Sequence, residues 1–289
     1  MNKNLIALIA TTALTANASV ELTGDYEGTF TDGNPGAATY TQDLDLKMVG
    51  RSGETQVTVL MENLTGGSVV TANQVFLETP LEGFEFKGGN YESQNGSGLL
   101  QTTSAVANQM EVGFDVAGFD LSVGQESGVG KATVDTSVAI AGMNVAVQNV
   151  TASDRFVTAV ANFFGLGTTL ETQDTVVGRN TAVSVNANLA LDVDTTVSVT
   201  GVYMDINDAS TVTQDDGILG DISNANNGSD IKGGVVKLAT TVGVVTGKMY
   251  TVNDVATYAA EVERGVMTVG YTKSEDTNGI FDAKLAVAF

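Results

Sequence analysis

Short runs in which apolar and polar residues alternate with a period of two recur from residue 20 to the end of the chain, and this pattern limits its folding more than any other feature. In Val20-Glu-Leu-Thr-Gly-Asp-Tyr-Glu-Gly-Thr-Phe30, one set is Val20, Leu22, Gly24, Tyr26, Gly28 and Phe30, and the other is Glu21, Thr23, Asp25, Glu27 and Thr29. Successive side chains of a strand point to opposite faces, so the two sets lie on opposite sides of a sheet. The last run repeats the arrangement, with Phe281, Ala283, Leu285, Val287 and Phe289 against Asp282, Lys284, Ala286 and Ala288. The first and last strands therefore match in kind, as closing a sheet on itself requires. Between them, runs fall at about 40–49, 55–63, 73–79, 84–91, 108–116, 119–126, 131–140, 143–150 and 155–163. They continue at 166–173, 181–189, 195–203, 231–240, 244–252, 255–262 and 266–273, which makes about 18 strand-length segments in all. The prolines, Pro35 and Pro80, are expected in turns, where no ladder hydrogen bond is lost.

Tight turns at 50–54, 80–83, 117–118, 141–142, 164–165, 190–194, 241–243 and 263–265 alternate with longer polar connections such as 31–39, 64–72 and 92–107. An antiparallel meander with short turns on one edge and longer loops on the other is the layout of a transmembrane up-and-down β-barrel. A soluble sandwich alternates too, so the placement of charge has to decide. Glu21, Asp25, Glu27, Asp43, Asp45, Lys47, Glu85, Lys87, Glu111, Asp115, Asp120, Lys131, Asp135, Asp282 and Lys284 all fall on the polar set of their strands, and the apolar set carries no charge. Lipid demands this, because a Lys or Arg near the bilayer midplane costs about 2–4 kcal/mol on the outer face. Aromatics stand near strand ends, as with Phe30 and Tyr40, Phe114 and Phe119, and Tyr271 and Phe281, which suits two membrane interfaces. The competing reading is an exported soluble β-rich structural or adhesive surface protein. A fibre or solenoid would need a fixed short repeat, and the chain has none.

Composition narrows the chemistry. With no Cys and no His, the chain has no Ser-His-Asp or Cys-His nucleophile, no CxxC pair and no zinc site of the usual type, so neither an enzyme nor a cofactor is expected. Thirteen basic residues against 34 acidic ones give a net charge of -21, which argues against a nucleic-acid partner and for cation attraction. Residues 1–18 differ from the rest: Lys3 precedes an apolar stretch, and Ala16-Asn-Ala18 before Ser19 has the form of a cleavage site, so a signal peptide is expected there and a barrel domain over 19–289. The Asp- and Asn-rich stretch 205–230 lacks the ligand spacing of an EF-hand and reads as an external loop. Gly128-Val-Gly-Lys131 lacks the residues a phosphate loop needs on either side and reads as a turn.

The opening Val20-Glu-Leu-Thr-Gly24, the closing Leu285-Ala-Val-Ala-Phe289 and the unit Gln74-Val-Phe-Leu-Glu-Thr-Pro-Leu-Glu-Gly-Phe-Glu-Phe-Lys-Gly88 together resemble the general diffusion porins of Gram-negative outer membranes, in their short α-proteobacterial form. The resemblance implies an all-β barrel of about 16 strands whose third loop folds inward, assembled as a homotrimer in outer-membrane lipid. It implies a constriction loop over Tyr91, Glu92, Ser93, Gln94 and Asn95, and it makes Phe289 the signal read by the barrel-assembly machinery. Glu92 is the one acid in 90–101, and Lys47, Arg51 and Lys87 are the only bases on the early strands, so the transverse field across such a constriction is expected to be thin. The expected function is passive diffusion of small hydrophilic solutes and cations through a lumen lined by the polar-face charges. Taken singly each carboxylate is an ordinary solvated residue, and only the ensemble carries the argument.

Overall fold

A computed structural model describes residues 19–33, 38–62, 72–96, 99–100, 102–103, 107–126, 132–150, 155–207, 219, 228–275 and 278–288. The expected signal peptide at 1–18, Pro35, Phe289, Lys131 and most of the Asp-rich stretch lie outside these residues. The chain runs through β1 (Ser19–Gly33), β2 (Thr39–Ser52), β3 (Thr55–Met61), β4 (Gln74–Leu81), β5 (Phe84–Tyr91), β6 (Gln94–Asn95), β7 (Thr102–Thr103), β8 (Ala107–Val116), β9 (Phe119–Glu126) and β10 (Ala132–Ile140). It continues through β11 (Met143–Gln148), β12 (Arg155–Phe163), β13 (Leu166–Asp174), β14 (Arg179–Ala190), β15 (Thr196–Ile206), β16 (Ser229–Thr240), β17 (Gly243–Val252), β18 (Val255–Arg264), β19 (Met267–Ser274) and β20 (Ile280–Ala288).

All but β6 and β7 belong to one 18-stranded antiparallel sheet in chain order. It closes because β1 pairs with β2 on one side (Phe30 opposite Tyr40) and with β20 on the other (Phe30 opposite Ala283). Each alternating run of the sequence is a barrel strand, so the count is 18 and the 16 implied by the family resemblance does not hold here. The physical reason lies in the turns. Ala117-Gly118, Ala141-Gly142 and Phe164-Gly165 each place two successive residues at positive φ, the mirror-image turn whose twist suits a tight hairpin, so the runs on either side are separate strands. Asn253 and Asp254 make the same reversal between β17 and β18 on the opposite edge, where a longer loop was expected. Pro80 is likewise not in a turn but the second-last residue of β4, opposite Glu85.

Residues directly opposed across a strand pair share a face, so the register carries one assignment round the whole barrel. The outer face is exposed and apolar, with Leu22, Phe30, Leu170, Val185, Val199, Val236, Val245, Val262 and Leu285 among its residues. Tyr40, Tyr203, Tyr258 and Tyr271 stand on it near the loop edge, and Phe84, Phe114, Phe119 and Phe163 near the turn edge. The main core is on the inner face. Phe156 of β12, Ala182 of β14, Val202, Met204 and Ile206 of β15, Ile231 of β16, and Tyr250 and Val252 of β17 cluster there with Leu99, Leu100 and Leu219. A smaller cluster breaks the outer-face rule: Val59 and Met61 are buried on that face against Leu46, Met48, Val57, Ala72 and Val75.

Candidate functional site

The inner face is where the sequence-predicted charges meet. Glu27 stands opposite Asp43, Asp25 opposite Asp45, and Lys47 opposite Thr23 across the pair β1 and β2. Lys284 and Asp282 of β20 stand opposite Thr29 and Thr31 of the same β1 face. Lys87 of β5 is opposite Glu111 of β8, Glu85 is opposite Gly113, and Asp115 is opposite Asp120 of β9. Because β2 leads by register through β3 and β4 to β5, Glu21 and the twelve charges just named all occupy one face, the one opposite Leu22, Leu44 and Phe84; Asp135, opposite Ser122, is on it too, and Lys131 lies outside the described residues.

Of the six bases on this face among the described residues, Lys47, Arg51, Lys87, Lys237, Lys248 and Lys284, three are held by neighbouring acids. Arg51 Nη1 lies 3.3 Å from Glu21 Oε2, Lys284 Nζ lies 2.5 Å from Glu27 Oε2, and Lys87 Nζ lies 3.4 Å from Glu78 Oε1. Lys87 is also held over two rings, 4.6 Å from the centroids of both Phe76 and Tyr91, so it cannot swing into open water without losing both cation–π contacts. A cavity of about 630 Å³ at the turn end of β5, β8, β9 and β10 is lined by Glu85, Glu111, Asp115, Asp120 and Asp135 with no base among its lining residues. Ser122 Oγ donates to Glu111, Ser137 Oγ donates to Asp120 Oδ2 at 3.0 Å, and the Asn149 amide donates to Asp135 Oδ1 at 2.7 Å, so three of these carboxylates are oriented. Asp25 with Asp45, Glu27 with Asp43 and Asp115 with Asp120 are like charges set directly opposite one another, which destabilises a sheet. Such a cost is tolerated where the surrounding water and ions screen it or where the field has a use.

Sequence reasoning missed part of the site. Glu78, Glu171, Lys237, Lys248, Glu261 and Glu263 share the inner face, by the pairs Glu78 with Lys87, Glu171 with Thr158, Lys237 with Thr246 and Glu261 with Thr246. On β16 the inner set is Ser229, Ile231, Gly233, Val235 and Lys237, so apolar residues fall on both faces and the period-two signal disappears.

The residues expected to form a constriction loop begin at the end of β5 and follow in the segment between β5 and β8. Tyr91 closes β5 and is buried, its ring tilted on Phe76 with centroids 5.6 Å apart. The Glu92 amide donates to Gln74 Oε1 at 3.1 Å, and Glu92 itself is exposed. Ser93 follows, and Gln94 and Asn95 (β6) pair with Thr103 and Thr102 (β7) in a short ribbon. From its tip, the Gly96 amide donates to Gln148 Oε1 of β11 at 2.8 Å, and the Leu100 amide donates to Glu171 Oε2 of β13 at 2.8 Å. Among the described residues no group of three or more Asp or Glu could hold a metal ion.

Closure, strand pairing in chain order and the apolar outer wall around a charged inner face decide the fold class, and solved structures agree. The chain has the porin fold. It superposes on OpdQ of Pseudomonas aeruginosa with a TM-score of 0.63 at 10% identity, covering 94% of this chain and 98% of that one. A BenF-like porin from Pseudomonas fluorescens Pf-5 gives 0.61 at 12% identity over 94% and 98%. A multiply substituted Rh. blastica porin gives 0.53 at 10% identity over 94% and 100%. No family model and no curated protein matches the chain. At such identities the likeness to these porins is one of architecture.

Proposed function

We propose that this chain is a Gram-negative outer-membrane porin, a water-filled channel through which small hydrophilic solutes diffuse passively and cations are favoured over anions. The observation that carries the reading is the division of charge in a closed barrel: inner-face acids outnumber their bases, while the outer wall is apolar between its two edges. Only lipid on the outside and water on the inside make both halves of that division favourable. The carboxylates of Glu21, Asp25, Glu27, Asp43, Asp45, Glu85, Glu111, Asp115, Asp120 and Asp282 raise the cation concentration in the lumen; Lys87 and Lys284 line it as paired partners, and Lys47 lines it opposite Thr23.

In this reading the loop between β5 and β8 enters the barrel as its constriction. Its support is the pair of amide bonds from Gly96 and Leu100 to inner-face side chains of β11 and β13, strands that are not neighbours of β5. We further propose a homotrimer joined through the sector β2–β5 and β8–β11. Among described residues the outer face of that sector carries no charge, whereas the outer face of β12–β19 carries Arg155, Asp174, Arg179, Asp205, Asp230, Lys232 and Lys273 near the loop edge. Depletion of charge is what the centre of a protein interface requires.

The test is single-channel recording of detergent-purified protein in a planar bilayer under a KCl gradient. Stepwise insertions with a cation-selective reversal potential are expected, in groups of three for the trimer. Protein that stays monodisperse without detergent and gives no conductance would overturn the reading in favour of a soluble β protein.

A further inference from the structure

Glu171 is fully buried at the middle of the inner face of β13, opposite Thr158 on one side and Ala182 on the other. A carboxylate taken out of water must recover its lost hydration through hydrogen bonds. Here Oε2 accepts the Leu100 amide at 2.8 Å and Oε1 accepts the Thr158 hydroxyl at 2.9 Å. Leu99 and Leu100, 1% and 0% exposed, pack beside it into the cluster of Phe156, Ala182 and Met204, so the bond is sealed by apolar contact. β9, β10, β11 and β12 lie between β8 and β13 in the sheet, so this bond joins the loop to a distant part of the wall.

We infer that Glu171 is the positioning residue that docks the loop between β5 and β8 against β13, and that its hydrogen bonds, not its charge, set the cross-section of the passage. This rests on the channel reading. The loop then covers the apolar inner wall from β12 to β17 and leaves open the acidic wall of β1, β2 and β8–β10, so permeating cations follow an eccentric path.

Glutamine at this position keeps one oxygen for the Leu100 amide and offers its NH2 to the Thr158 hydroxyl, which accepts as readily as it donates. Leucine keeps the bulk and makes neither bond. In bilayer recordings Glu171→Gln is therefore expected to match the native conductance and selectivity. Glu171→Leu is expected to raise the time spent in a higher-conductance, noisier level by about tenfold or more, from the cost of leaving the buried Leu100 amide without an acceptor. The chain has no cysteine of its own, so Leu99→Cys adds a unique thiol to the docked segment at a position that is 1% exposed. Far-UV circular dichroism of Glu171→Leu is expected to match that of the native protein and to show that the barrel itself is intact. Glu171→Leu with native conductance and noise would overturn the inference, and so would Glu171→Gln with altered selectivity. Should the unsubstituted protein not conduct, the channel reading fails by itself. Docking is then read from maleimide labelling of Leu99→Cys, which should quicken by about tenfold with Glu171→Leu and not with Glu171→Gln; equal rates in both would overturn it.

Discussion

Val185→Lys tests whether the outer wall meets lipid. Val185 lies six residues from Arg179 and five from Ala190 on the 12-residue β14, with its side chain on the exposed outer face. At about 3.3 Å per residue and a tilt of about 45°, β14 rises roughly 28 Å, close to the roughly 30 Å of a hydrocarbon core. Val185 is thus near the midplane, and either interface is further away than a lysine side chain reaches. Its cross-strand neighbours, Thr168 and Gly201, offer no carboxylate. The expected cost is about 2–4 kcal/mol, or roughly 30- to 1,000-fold in the folding equilibrium. Asn186→Lys, one residue on, turns its charge to the inner face and gives up the bond from Asn186 Nδ2 to Thr200 Oγ1 at 2.7 Å, for about 1 kcal/mol. Reversible urea unfolding from phosphatidylcholine vesicles measures both. A Val185→Lys loss below about 0.5 kcal/mol, the usual range for a water-exposed surface site, would refute lipid contact at this wall.

Asp115→Asn with Asp120→Asn should lower the potassium-to-chloride permeability ratio in dilute KCl, with the difference from native protein shrinking toward 1 M salt as screening shortens to about 3 Å. The same pair of changes removes a directly opposed like-charge pair, so unfolding stability should hold or rise, and a clear loss would count against this reading. Gly89→Ala should cost about 2 kcal/mol or more in the same unfolding assay, because its φ is +142° and an added Cβ would sit 2.4 Å from the Val75 carbonyl oxygen. Gly118→Ala, at φ +83° with open space around it, should cost only about 1 kcal/mol, and equal losses would contradict the packing argument. Asp174 is paired with both Arg155 and Arg179 at the outer loop edge, yet each arginine is substantially exposed, so Asp174→Asn should cost under about 1 kcal/mol and less still in high salt.

Every barrel strand was legible in the sequence where its two faces differ in polarity. On β1, β2, β5, β8, β9 and β20 the inner residues are mainly polar or charged and the outer ones mainly apolar, so the two-sidedness of the sheet is written as a period of two directly into the chain. The strand number was legible for the same reason: Ala-Gly and Phe-Gly pairs separate runs that a family count of 16 would merge. The charges of the early strands could therefore be assigned to one face without coordinates.

What the sequence alone could not assign is the inner wall from β12 to β17, where Phe156, Met204, Ile206 and Ile231 point inward beside Leu99 and Leu100. Alternation reports polarity, and a strand that is apolar on both faces has none to report; Lys237, Lys248 and Glu171 were invisible within it. The partner that makes those inner residues apolar belongs to a loop about 70 positions away from Glu171 in the chain, as the bond from the Leu100 amide records. Local periodicity is set by the two environments on either side of a strand, and it determined the barrel. Which part of the inside is dry depends on a contact between distant segments, and only the tertiary structure decided that.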